Sequence, residues 1–492
     1  MINAEQPGGQ LPRLLGPVTA FSLIVGSVIG SGIFFVPSRV AEAVPYFGGI
    51  VLAWVVGAAF SAAGVLTLAE LAAMLPGVGG PYVYLRAAYG PVPAFLFGWA
   101  EFWVVRAGSM ATLAAAFARA FARLVPPPLG LSPALWQMGV AVSAIAVLMV
   151  INVLGTELAG KLAVVGTALK VGALMAMMSL PFFLGGADVG RLTPMWPEHL
   201  DASFWSGFMA AMVGILWSYD GWVNLAPMAE EIRDPGRNIP RALISGMATL
   251  AFIYLGMTLM YHLVLPMGEI TSLKGGNAPT QSVAADYCRR LLGGSGDVTI
   301  TVVIMVSIFI ALNGNAMTGP RAYFAMARDG VLPAALGRVH ARFRTPANAV
   351  IAQCTWAMIL TALGTLLILG PAPGPESGLP GFVVRAWAAT KAVPLYDLLY
   401  TYVIFGATIF YMLSIASVFV LRRTMPDLPR PYRTWGYPVT PVVFVVASLI
   451  LLGNMIRETP VQSLAGLGLI LLGLPAYAFF NRQKSAAARP AA

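Results

Sequence analysis

The chain has 492 residues, of which 58% are hydrophobic and only 10% charged, against about 25% charged in a soluble domain. So few charges cannot cover a water-facing surface of that size, and lipid must solvate much of it. The net charge of +10 does not point to nucleic acid, because the basic residues sit in short loops between apolar runs, which is the pattern of membrane topology.

In chain order, the first apolar run begins near Leu14. It is longer than a signal-peptide core and no small-residue cleavage site follows it, so it reads as a retained first helix behind a tail of residues 1–13. A membrane span needs about 20 apolar residues. Twelve such runs can be traced, at residues 14–43, 47–75, 91–122, 134–153, 158–185, 204–231, 239–265, 298–320, 347–369, 395–421, 438–456 and 462–480. The proline-rich stretches 126–128 and 371–375 mark loops, residues 280–292 of the partly polar segment 266–296 are expected to form a short surface helix, and residues 481–492 form a second tail. Loops on the side of the N-terminus are the richer in Lys and Arg, with Arg13, Arg86, Lys161, Arg233, Arg237, Arg241, Arg321, Arg328, Arg338, Arg342, Arg344, Arg422, Arg423, Arg430, Arg433, Arg482, Lys484 and Arg489; Arg39, Arg119, Arg123, Arg191, Lys274, Arg289, Arg290, Arg385, Lys391 and Arg457 lie on the other side. That bias puts both termini in the cytoplasm. The abundance of Ala, Gly and Arg suggests a GC-rich bacterium, so the membrane expected is the bacterial cytoplasmic (inner) one.

Two runs are interrupted in matching places. The first holds Gly26, Gly30 and Gly32, each weakening a helix by about 1 kcal/mol relative to Ala. The sixth holds Trp217, Ser218, Tyr219, Asp220, Gly221 and Trp222, with a carboxylate in mid-span that costs about 2.5–3.5 kcal/mol on insertion scales. Five spans separate the two breaks. This is the spacing of an inverted repeat of five plus five helices, with residues 14–190 as the first repeat, 204–421 as the second and 438–480 as two added helices. The fold class expected is therefore an all-α integral membrane protein with discontinuous first and sixth helices. Broken backbone at that depth is tolerated where it lines a cavity or is buried in protein. A half-helix starting near Ile33 presents N–H groups and a positive dipole end, which suit a carboxylate. Half-helices ending near Ile29 and Trp217 present carbonyls, which suit an ammonium. One anion pole beside one cation pole fits an α-amino acid. The glycines alone would equally allow close helix packing; the matching break in the sixth span favours a binding site.

Other polar residues within spans carry two readings each. Lys170 lies near the middle of the fifth span, where an ammonium either faces a cavity or carbonyl cluster or snorkels to an interface. Asp220 can line the pocket, accept a proton, pair with a donor or cap the helix break. Glu101 and Arg106 in the third span either pair with each other or cap buried polar groups. Asn313 and Asn315 in the eighth either face Lys170 or join helices. Arg233, Arg237, Arg241 and Arg328 are expected to pair with Glu230, Glu231 and Asp329. Cys288 and Cys354 form no CxxC pair and His199, His262 and His340 are scattered, so no disulfide framework, metal or cofactor is indicated.

At these residues the sequence resembles the amino acid–polyamine–organocation superfamily, and within it the L-type amino acid transporters and their bacterial relatives. The resemblance is carried by Gly26 to Phe34 followed by Pro37, by Glu70 to Pro76 with Gly79 to Arg86, by Tyr219 to Trp222 with Glu230, Glu231, Pro235 and Arg237 to Pro240, and by Gly319 to Tyr323 with Ala327 to Pro333. It implies that the backbone of Gly30, Ser31 and Gly32, with the Ser31 hydroxyl, holds the substrate carboxylate. Carbonyls at Val28, Ile29, Trp217, Ser218 and Asp220 then hold the amine, and Trp217 closes over the substrate from outside. It implies that Lys170 fills the space where sodium-coupled relatives bind an ion. Eukaryotic L-type transporters tether to a glycoprotein through a cysteine between spans three and four; residues 123–133 contain none, so no disulfide-linked accessory subunit is expected.

The function expected is sodium-independent transport of L-amino acids, neutral ones in particular, by exchange; exchange itself comes from the resemblance. A proton-coupled symporter and a carrier of polyamines or cationic amino acids are the alternatives. The sequence shows no catalytic cluster of an intramembrane enzyme and no selectivity loop of a channel.

Overall fold

The computed structural model describes residues 11–273, 282–370 and 395–487; the outer parts of both tails, Lys274, the 371–375 loop, Arg385 and Lys391 lie outside the described residues. What is described is helical, joined by loops and one isolated parallel bridge between Leu15 and Ile232.

The first expected span is two helices, α1 (Pro17–Val28) and α2 (Gly32–Ala43), set at 40° to one another. The chain leaves helical geometry at Ile29 (φ −70°, ψ 90°) and re-enters it at Ser31. After α3 (Phe47–Met74), Gly79 and Gly80 turn the chain at φ 107° and 53°, conformations that favour glycine, into the short α4 (Pro81–Tyr89). The third span runs from α5 (Pro91–Ala100) through a π turn at Glu101–Val105 into α6 (Arg106–Leu124). Next come α7 (Pro133–Leu154) and α8 (Thr156–Leu184). The sixth span opens as α9 (Ala202–Tyr219), whose first turn is capped by the Asp201 carboxylate accepting from the Phe204 amide at 2.9 Å. It stops at Asp220, which is extended, and Gly221 at φ 110° turns the chain into a 3-10 stretch, Trp222–Glu231. The remaining helices are α10 (Pro235–Val264), α11 (Met267–Ser272), α12 (Val283–Leu292), α13 (Gly296–Thr318), α14 (Pro320–Arg328), α15 (Ala347–Leu369), α16 (Leu395–Thr424), α17 (Val439–Glu458), α18 (Pro460–Leu471) and α19 (Gly473–Ala487). The short helix expected at 280–292 is α12, with Tyr287 and Cys288 buried and Arg289 and Arg290 exposed.

Nine described helical stretches are long and apolar enough to cross a membrane, or ten if α1 and α2 count as one bent span. The expected twelve is not reached on that criterion: the π turn divides the third span, and the sixth breaks after α9. Large apolar side chains cover the outside. On α8, Val165 and Leu169 are 59% and 61% exposed while Lys170 is 1% exposed. A helix whose outer face is Val and Leu, and whose mid-span charge points inward, belongs in lipid. The chain is a multi-pass membrane protein. Inside the bundle α3 packs chiefly on α10, α6 on α13, α7 on α15 and α2 on α9, so that four helices each meet the one five spans further along the chain.

Candidate functional site

The breaks in the first and sixth spans face each other across a small cavity. Ser27, Val28, Gly30, Ser31 and Gly32 form one wall; Trp217, Asp220, Gly221 and Asn224 form the opposite one; Ser109 and Leu113 of α6 and Asn315 of α13 complete it. Of the residues singled out from the sequence, Val28, Gly30, Ser31, Gly32, Trp217 and Asp220 line this cavity, whereas Ile29 and Ser218 stand behind it. Gly32 is required by packing: a Cβ there would lie 2.5 Å from the Ser218 Oγ and 2.7 Å from its Cα.

The anion pole is the start of α2. Ser31 is its N-cap, and its carbonyl accepts from the Phe34 and Phe35 amides at 3.2 Å each. The amides of Gly32 and Ile33 precede any intrahelical acceptor and carry the positive end of the helix dipole.

The carbonyl side is already well occupied. The Lys170 ammonium donates to Gly26 O and Ile29 O, both at 2.6 Å, and to Ser307 O at 3.3 Å. The Ser307 hydroxyl adds bonds to Ile29 O (3.1 Å) and Gly30 O (3.0 Å). The Tyr254 hydroxyl bridges Val28 O (3.2 Å) and Ser218 O (2.9 Å), and Trp217 O accepts from the Asp220 amide at 3.2 Å. Lys170 therefore faces a carbonyl cluster rather than an interface.

Asp220 receives the Tyr411 hydroxyl at 3.0 Å. Beside it lies Arg106, 3% exposed, whose Nε donates to Glu101 at 2.5 Å and whose terminal nitrogen donates to Asn224 and, at 3.2 Å, to Asn315. Glu101 and Arg106 are thus the expected pair. The π turn brings them together, because in a regular α-helix residues five apart point roughly 140° away from each other. Asn315 belongs to this cluster, whereas Asn313 joins helices, accepting from Asn152 and donating to Ala159 O, both at 3.0 Å.

A second polar group sits at the end of the bundle that holds the chain's start. Glu231 and Arg321, each with a side chain 1% exposed, make a two-pronged pair at 2.8 and 3.2 Å. Arg328 meets Glu230 at 3.4 Å, and Asp329 accepts from Arg86 and from the Tyr82 hydroxyl. Arg328 is therefore the one expected arginine found on these acids; Arg321 and Arg86 hold the other two, while Arg233 donates to Arg13 O at 3.3 Å. The Leu15 amide donates to Glu231 O (3.0 Å) and the Arg233 amide to Leu15 O (2.9 Å). Sequence reasoning passed over Tyr254, Ser307, Tyr411 and Asn224, since one hydroxyl or amide in an apolar run gives no sign of its partner.

The family model described as amino acid permease matches residues 15–474. The serine/threonine exchanger SteT of Bacillus subtilis is 30% identical over 481 residues, covering 96% of this chain and 98% of that protein. The human b(0,+)-type amino acid transporter 1 is 28% identical over 495 residues (98% and 91%), and the human large neutral amino acids transporter small subunit 2 is 27% identical over 485 residues (96% and 81%). Two broken helices around one polar cavity, in a chain matched along nearly its whole length, establish that this protein is no enzyme but a membrane transporter that belongs to the amino acid permease family.

Proposed function

We propose that the chain exchanges L-amino acids, neutral ones in particular, across a bacterial cytoplasmic membrane without sodium, with both termini inside. The observation that carries this reading is the cavity between the breaks, with the Gly30–Gly32 backbone on one wall and Trp217 and Asp220 opposite. The substrate carboxylate lies on the α2 amides and the Ser31 hydroxyl. The amine lies against backbone at Val28 and Trp217–Asp220, with Ile29 and Ser218 holding that backbone in shape, and Trp217 moves as the gate. The relatives include a serine/threonine exchanger and large neutral amino acid transporters, which supports both exchange and a neutral substrate.

Sodium independence rests on Lys170. A protonated amine inside three carbonyls takes the ligands that a small cation would need. Alternation between inward- and outward-facing states fits two five-helix repeats, 14–190 and 204–421, followed by 438–480, because the principal helix contacts pair four of the first five spans with the span five further on. Both cysteines are buried within the bundle, which supports a carrier that works without a disulfide-linked companion.

The test is counterflow in proteoliposomes loaded with mixed unlabelled amino acids. Entry of labelled serine, alanine or leucine that requires internal amino acid and ignores sodium is the expected result. Uptake of polyamines or arginine alone, or dependence on sodium, overturns it.

A further inference from the structure

Asp220 stands between two cavities. One is the site already described. The other lies among α3, α9, α16 and α17 and presents Ser61, Thr408 and Tyr411 as its polar wall. Among the residues lining either cavity, Asp220 is the sole carboxylate and the one shared by both, together with the sequence break that forms them.

The ionisable groups facing it are Arg106 and Glu101 from the third span and Tyr411 from α16. Arg106 is neutralised by Glu101 and spends its other donor on Asn224 and Asn315. Two carboxylates thus share one guanidinium. Asp220 is left with neutral donors, the Tyr411 hydroxyl at 3.0 Å and the Gly221 amide. Asp220 is half-buried between the two cavities; a partly desolvated carboxylate without its own cation is costly, and adding a proton removes that cost. The neighbouring Gly221 packs on the first-span break, where a Cβ would meet Ser27 backbone atoms at 3.3 Å, so the position of Asp220 is tied to that break.

We propose that Asp220 is a proton-carrying site that links transport to pH. A proton from the side to which the cavity is open adds to a carboxylate oxygen of Asp220, travels with the occluded site and leaves on the opposite side. This rests on the transport reading above.

Two measurements test it together. Counterflow of a neutral amino acid is recorded at equal pH on both faces over a range of pH, for the wild type, Asp220→Asn and Tyr411→Phe. Infrared difference spectra of the purified proteins between acid and alkaline buffer report protonated carboxyl groups directly. The expected wild-type profile follows one proton, and the spectrum shows a carboxyl band. Asp220→Asn removes that band and flattens the profile of whatever counterflow remains. Tyr411→Phe takes a donor from the carboxylate and moves the profile towards alkaline pH. An Asp220→Asn spectrum identical to wild type, or a Tyr411→Phe profile superimposable on it, overturns the proposal. A band lost in Asp220→Asn with no amino acid moved at any pH overturns the transport reading and leaves the proton site standing.

Discussion

Lys170 is the residue on which the most backbone depends. Its ammonium holds the last carbonyls of α1 to α13, so its removal leaves Gly26 O without that donor and strips one from Ile29 and Ser307. A buried acceptor left unpaired costs about 1–3 kcal/mol. Lys170→Met is expected to lower the melting temperature and to reduce counterflow at least roughly tenfold, the equivalent of about 1.4 kcal/mol; wild-type turnover in that variant would deny Lys170 its bracing role. Tyr254→Phe removes the hydroxyl shared by Val28 O and Ser218 O, and a loss of about 1–3 kcal/mol in denaturant unfolding is the expected outcome. Lys170 was legible from the sequence because an ammonium in an apolar run has to find acceptors somewhere. Tyr254 and Ser307 were not, because a hydroxyl suits a lipid-facing, a buried or an interfacial position equally well. For the same reason the sequence shows that a helix break exposes carbonyls, as near Ile29, but not that other side chains have already taken them.

At the scale of the helix, hydropathy located most elements closely: α3 spans Phe47–Met74 against an expected 47–75, and α7 Pro133–Leu154 against 134–153. The breaks were readable because glycine and a mid-span carboxylate oppose a continuous helix. The π turn was not, since it changes hydrogen-bond register without changing composition, and it is this turn that sets Glu101 beside Arg106. Close approach of helices gives a paired prediction on α8. A Cβ on Gly166 would sit 2.1 Å from Ile310 on α13, whereas Gly172, six residues along the same helix, has nothing within 4 Å. Gly166→Ala is expected to destabilise by about 1–3 kcal/mol through overpacking. Gly172→Ala is expected to be neutral or to stabilise by up to about 1 kcal/mol through helix propensity. Equal melting temperatures for the two variants would mean that α8 and α13 are not held this closely.

Among the described residues, two ion pairs have both side chains no more than 4% exposed: Arg106–Glu101 beside the central cavity, and Arg321–Glu231 at the end where α1 begins. The Arg321–Glu231 pair, buried on both sides, is costly to break, and Arg321→Ala is expected to lose about 3–5 kcal/mol on unfolding. Glu231→Gln with Arg321→Met should recover much of that loss, because the double change leaves no lone buried charge; a double variant as unstable as Arg321→Ala would argue that the pair acts through its Thr156 and Met317 contacts instead. The sequence pointed to acids and arginines in this region, yet only the folded chain shows that arginines from α4 and α14 reach Glu231 and Asp329. The same end carries the Leu15–Ile232 bridge, whose two backbone bonds sew the approach to α1 onto the stretch leading into α10. The foot of α1 therefore has to unpick a stitch before it can swing away. The Leu15 and Arg233 amides should then trade their hydrogens for deuterium only when that end parts, and faster when exchangeable amino acid is supplied, so that two backbone protons would count the strokes of the carrier with no label on its cargo.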